Sequence, residues 1–133
     1  MPFILCADFT MFPDDTVLGP SFTLAAMDFQ DIPGGPVSFV NLTASELALQ
    51  FPDTGLEIDL PVEVPWVRMR VGQFGSPYTI EAFDPSGTSV AVFNMNFPNT
   101  YRNLRLRGRG ISLIRFTGGG NEGSVETACI PIP

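Results

Sequence analysis

Apolar side chains recur at every second position through most of this chain, and no stripe of helical period lasts ten residues. Phe3 to Phe9 reads as a first strand, closed by the turn-forming Pro13-Asp14-Asp15. Ser21 to Phe29 is a second run. The breaker Asp31-Ile32-Pro33-Gly34-Gly35-Pro36 ends regular pairing, since proline lacks a donor and glycine favours bends. Val37 to Asn41 is short and apolar. Thr43 to Leu49 carries a helix signal, an N-cap threonine with Glu46 three residues on. Alternation through Leu47, Leu49 and Phe51 limits it to at most one helical turn. That alternation enters Pro52-Asp53-Thr54-Gly55 and resumes at Leu56, Ile58 and Leu60, which predicts a hairpin with a four-residue loop.

The second half is more regular. Val67, Met69 and Val71 alternate with Trp66, Arg68 and Arg70, giving one buried face and one presented to solvent or a ligand. Tyr78 to Phe83 enters the turn Asp84-Pro85-Ser86-Gly87, and Val90 and Val92 lead the return. Leu104 and Leu106 alternate with Arg105 and Arg107 until Gly108-Arg109-Gly110 breaks the run. Ile111 to Phe116 and Val125 to Ile130 finish the chain, separated by the tight bend expected of Gly118-Gly119-Gly120-Asn121-Glu122-Gly123. About ten short strands at this spacing predict an all-β fold, an antiparallel two-sheet β-sandwich with jelly-roll character. Residues 1–133 form a single domain in this reading.

Composition narrows the function. Hydrophobic residues make up 44% and charged residues 16%, which excludes intrinsic disorder. Lysine and histidine are absent, so no Ser-His-Asp triad, histidine metal cage, Walker lysine or lysine Schiff base can be assembled. With a net charge of −7, nucleic acid is not an expected partner. No apolar run approaches the ~20 residues of a membrane span, and Met1 to Ala7 lacks the pattern of a secretory signal. Cys6 and Cys129 stand near opposite ends. A disulfide between adjacent terminal strands, two buried free thiols and pairing between chains are all open readings, and the first suits an extracellular or cell-surface protein.

The cysteine pair, the succession Leu47 to Phe51, Leu56 to Leu60 and Trp66 to Val71, and the hairpin Ile80 to Val90 together resemble the galactose-binding-like jelly rolls. That group includes discoidin-type domains and many carbohydrate-binding modules. The resemblance implies a terminal disulfide and non-catalytic recognition of a saccharide through end loops or a concave sheet face, often with a structural calcium. Trp66, Tyr78 and Tyr101 all fall on strands, whereas the sugar-binding members commonly display aromatic residues on loops.

Two groups of residues could carry binding. Arg68 and Arg70 on one strand and Arg105 and Arg107 on another would share a surface if those strands belong to one sheet, with Trp66 and Tyr101 as its apolar floor. The competing reading pairs these arginines with Glu57, Asp59, Glu63 and Glu81 on a solvated face. Asp14, Asp15, Asp28 and Asp31 are candidate calcium ligands, although no D-x-D-x-D-G loop is present and turn roles explain loop aspartates equally well. The leading expectation is a non-enzymatic module for a saccharide or other polar ligand. The alternative is a self-assembling subunit of an extracellular filament, sheath or coat, joined by its terminal strands and cysteines.

Overall fold

The computed structural model describes residues 3–133, and every regular segment but one is a strand. β1 (Phe3–Asp8) leads into a 3₁₀ turn at Phe9–Met11, capped by the Asp8 carboxylate, which accepts the Thr10 amide at 3.0 Å. Nine strands follow: β2 (Ser21–Leu24), β3 (Met27–Asp31), β4 (Phe39–Thr43), β5 (Glu46–Phe51), β6 (Leu56–Gln73), β7 (Tyr78–Phe83), β8 (Ser89–Met95), β9 (Thr100–Gly118) and β10 (Gly123–Ile132). All of their pairings are antiparallel. No helix among the described residues is long and apolar enough to cross a membrane.

Hydrogen bonding is continuous across the ten strands, yet the sheet folds into two layers because β6 and β9 are 18 and 19 residues long and bend midway. Their register slips between Asp59 and Val64 and again between Val64 and Trp66, and Gly110 turns the backbone at φ 67°. The first slip leaves three extra residues on β6 and the second two extra on β9, and such unpaired residues sharpen twist and re-aim the strands. The inward parity of β6 changes accordingly, from Leu56 and Ile58 to Val67, Met69 and Val71. Sheet one is ordered β2-β3-β6-β9-β7-β8 and uses the first half of β6 and the second half of β9. Sheet two, β4-β5-β10-β6-β9, uses the other halves, and β1 pairs with β10 beyond the end of β5.

The core lies between the layers and is rich in phenylalanine. Phe51 of sheet two meets Tyr78 and Phe116 of sheet one at 5.1 and 5.2 Å between ring centres. Phe9 packs edge-on to Phe22 and Phe29, which stack on each other at 4.8 Å. Such ring pairs add to the free energy of burying the area itself. The buried Tyr78 hydroxyl donates to the Gly72 carbonyl at 2.7 Å, and burial pushes its phenol far above the usual range. Asp31 is the one buried carboxylate among the described residues; it accepts both the amide and the hydroxyl of Ser38. A Cβ at Gly19 would collide with that carboxylate and with the Ser38 amide, so only glycine fits there.

The terminal strands are neighbours as expected. Cys6 stands opposite Cys129 in the β1–β10 register, and the two form a disulfide within the chain. Four local expectations are corrected. The helix signal at Thr43 to Leu49 yields a tight β4–β5 hairpin in which Ala44 and Ser45 both take positive φ. The run Ser21 to Phe29 is split at Ala25-Ala26, also at positive φ, into β2 and β3. The segments flanking Pro52-Gly55 do not pair with each other: β5 joins β4 and β10 while β6 joins β3, β9 and β10, so this loop crosses between layers. Phe51 and Leu56 both enter the core from the loop's two ends, an arrangement that one half-exposed hairpin could not satisfy. Gly108-Arg109-Gly110 bends β9 without ending it, so the strands are ten but not all short.

Candidate functional site

The outer face of each sheet carries an ordered grid of polar side chains, because residues paired across antiparallel strands point to the same side. On sheet two, Arg68 stands opposite Arg105, Trp66 opposite Arg107, and Arg70 opposite Asn103. The structure therefore brings the four strand arginines and Trp66 onto one face. They do not behave alike. Arg70 donates from Nε to Glu46 at 2.8 Å and to Glu126 at 3.3 Å, and from Nη2 to Glu46 at 3.0 Å. Its guanidinium lies 5.2 Å from the centre of the Tyr101 ring.

Tyr101 is only 8% exposed, with its ring against Gly72 and its hydroxyl directed at the Thr43 carbonyl at 3.3 Å. It is a packed side chain rather than an open floor, and burial raises its phenol to about 12. Glu46 is held below its usual value by the Arg70 hydrogen bond. Glu126 is pushed up to about 7, chiefly by burial and by its neighbour Glu46. The partners of Arg70 were not those expected from sequence. They come from β10, whose pairing with β6 is non-local, and from β5 on the far side of β10, while Glu57 pairs with Arg115 at 2.7 Å.

Arg105 lies over the Trp66 ring at 4.7 Å. Arg68, Arg105 and Arg107 are exposed and have no carboxylate within ion-pair distance among the described residues. A guanidinium resting on an aromatic face keeps its N–H edges free to donate to an anion.

Sheet one has the opposite character. One row across its outer face reads Thr23, Asp28, Asp59, Leu113 and Phe83, and the adjoining row reads Ser21, Gln30, Glu57, Arg115 and Glu81. The β2, β3 and β6 positions of both rows, with Leu113 of β9, floor a groove of about 290 Å³. Asp28 and Asp59 are direct cross-strand neighbours. Asp28 accepts the Thr23 hydroxyl at 2.6 Å, and Asp59 has no hydrogen-bond partner among the described residues. Two like charges opposite each other cost stability on a purely structural face. Arg115 binds Glu57, stands opposite Glu81 and covers Phe83 at 4.8 Å, bordering the groove with an ordered cation and an aromatic ring.

The aspartates proposed as calcium ligands do not converge. Asp14 accepts the Leu42 amide, Asp15 takes φ 69° in its turn, Asp28 lies in the groove and Asp31 is buried against Ser38. No group of three or more acidic, histidine or cysteine side chains among the described residues is placed to hold a metal ion. Sequence reasoning missed the groove. Its polar alternation at Asp28/Gln30 and Glu57/Asp59 was visible, but nothing local indicates that β3 lies beside β6.

No family model matches the chain, and no curated protein matches it in sequence. Among solved structures it is similar to the arabinose-bound MgGH51 α-L-arabinofuranosidase, at a TM-score of 0.56 and 13% identity, covering 96% of this chain and 26% of that one. The chain thus spans about a quarter of the enzyme's length. It is also similar to a family 29 carbohydrate-binding module from Piromyces equi, at a TM-score of 0.53 and 10% identity, covering 98% of this chain and 91% of the module. A second family 29 module matches at 0.53 and 7% identity over 98% of this chain and 91% of its own. At these identities the likeness concerns the fold. The chain has the β-sandwich fold found in carbohydrate-binding modules.

Proposed function

We propose that the chain is a non-catalytic saccharide-binding module whose ligand lies along the groove on the outer face of sheet one. The observation that carries this reading is the grid of Asp28, Gln30, Glu57 and Asp59, four acceptor-rich side chains on two paired strands that face one open groove. A carboxylate accepts from two sugar hydroxyls at once, and the glutamine amide both donates and accepts. Leu113 offers apolar contact for the C–H face of a sugar ring. The local charge favours an uncharged glycan, since sulfates or uronic acids would meet the carboxylates of Asp28, Glu57 and Asp59. The fold likeness to carbohydrate-binding modules supports the same class of ligand, and the disulfide supports an extracellular or cell-surface setting.

Calorimetry against neutral xylo-, cello-, manno- and arabino-oligosaccharides, with and without calcium, tests the proposal. Binding is expected with at least one series, and Asp59→Asn is expected to weaken it about tenfold, the order of one charge-assisted hydrogen bond. No binding in any series, or binding indifferent to Asp59→Asn and Glu57→Gln, sinks the reading. Release of reducing ends by the wild type would reject the non-catalytic part.

Self-assembly is a second reading with one observation in its favour. β1 pairs on one side only among the described residues and exposes Phe3 and Ile4, at 62% and 46%, beside a free edge. Light scattering that finds a monomer across a concentration series would dismiss it.

A further inference from the structure

The arginine face of sheet two poses a problem that the groove does not solve. The chain has fourteen acidic residues and seven basic ones, so carboxylates are in surplus. A face shaped only by stability would satisfy its arginines, as Arg70 and Arg115 are satisfied. Arg68, Arg105 and Arg107 instead stand together with no carboxylate at ion-pair distance among the described residues, and two of them are direct cross-strand neighbours. Opposed like charges in this position are destabilising. Cross-strand neighbours are about 5 Å apart and alternate positions on a strand about 7 Å apart, so the three forks crowd one small area. Arg105 is held by its stacking on Trp66. An ordered guanidinium loses less freedom on binding than a loose one.

The register also gives the patch its limits. Cys129 stands beside Arg68 on β10 and Cys6 beside Cys129 on β1, so an uncharged disulfide borders it on one side. The Glu46–Arg70–Glu126 cluster lies two residues further along β6. A ligand there meets a short cationic patch on a molecule that is otherwise strongly anionic. A densely charged polymer would be repelled by its surroundings, whereas a chain with one anionic group per sugar or fewer fits.

We infer that this face is a second binding site for an anionic saccharide, whose sulfate or carboxylate groups are held by Arg68, Arg105 and Arg107. The site is independent of the groove, lies on the opposite sheet and takes ligands of the opposite charge preference. Either can fail without the other.

The intact protein is titrated with a κ-carrageenan-derived hexasaccharide, which carries sulfate but no carboxylate, a hexagalacturonate, neutral cellohexaose and a single-stranded hexanucleotide. Fluorescence of Trp66, the sole tryptophan, is the readout. Binding of the sulfated or the carboxylated hexamer, but not of cellohexaose, with a change in Trp66 emission is expected, and the two anionic arms identify which group is recognised. With three ionic contacts and the slope of a single-stranded polyanion, raising salt from about 50 to 200 mM should weaken binding about 20-fold by counterion release. Arg68→Gln/Arg105→Gln should weaken it at least tenfold. Arg102→Gln, whose guanidinium lies over Phe97 and whose position in the register opposes Val71 on the inward side, should change it less than twofold. Unchanged circular dichroism of each variant shows that it is folded.

Failure of both anionic hexamers to bind at low salt overturns the inference. So does equal loss in the Arg102 variant, or hexanucleotide binding as tight as either glycan. A salt-sensitive dimer in light scattering that the double variant abolishes would overturn it as well, by assigning the arginines to contact between copies.

Discussion

Three charged groups share one small space on sheet two, and their titration can be followed. Arg70 gives Glu46 a two-pronged pair and Glu126 one longer bond. With both carboxylates ionised the cluster carries one uncompensated negative charge. Glu126, 13% exposed at the side chain, is the one that resists ionisation, and its folded value of about 7 stands above the ordinary 4.5. The sign follows directly. The folded protein holds this proton more tightly than the unfolded chain, so the contribution is fully present below pH 4.5 and is lost as pH rises towards 7 and beyond. Glu46 runs the other way: its depressed value adds stability at neutral pH that disappears in acid. At about 1.4 kcal/mol per pH unit the Glu126 displacement corresponds to about 3 kcal/mol. Partial exposure of the Arg70 and Glu46 side chains reduces this to about 2 kcal/mol by screening.

Glu126→Gln mimics the protonated side chain and cannot ionise. Urea unfolding of wild type and variant, followed by Trp66 fluorescence at pH 5, 7 and 8.5, isolates the group because titrations outside the cluster cancel in the difference and Glu46, held below its usual value, stays ionised over this range. Relative to their difference at pH 5, the variant should become about 1.5 kcal/mol more stable than wild type by pH 8.5. Parallel stability curves for the two proteins across that range would refute the assignment of the proton to this cluster.

Reduction, or the double change Cys6→Ser/Cys129→Ser, releases a loop of 123 residues' separation and should cost about 4–5 kcal/mol in the chain-entropy account, read as a lower urea midpoint. Phe51→Ala removes the ring that joins the two layers through Tyr78 and Phe116 and should cost about 3–5 kcal/mol in the same assay. Gly19→Ala sets a methyl group against the buried Asp31 carboxylate and the Ser38 amide, and should destabilise by at least about 1 kcal/mol as measured by thermal unfolding.

Much of the architecture was legible in the sequence because it is written in local terms. Alternation at Trp66 to Val71 and at Tyr78 to Phe83 places one side in the core, and Asp84-Pro85-Ser86-Gly87 forms its turn with Gly87 at φ 85°. The glycine run at 118–120 bends with φ of 101°, 97° and 63°, as its composition implies. The two-residue turns at Ala25-Ala26 and Ala44-Ser45 were hidden, since neither carries the glycine or asparagine that normally marks positive φ.

The candidate sites divide along the same line. That Arg68 and Arg105 could share a face was readable from alternation on each strand, but their register opposite one another, and the capture of Arg70 by Glu46 and Glu126, required the positions of β5, β9 and β10. The groove needed still more. Asp28 and Asp59 are 31 positions apart in sequence and adjacent only because β6 bends to lie beside β3. The sequence alone determined the strand-forming pattern, the missing catalytic chemistries, and which side of each strand turns inward, because these depend on side-chain type and a period of two. Tertiary structure decided which outward faces meet, because strand neighbours are chosen by whole-core packing between distant segments, and no local spacing records that choice.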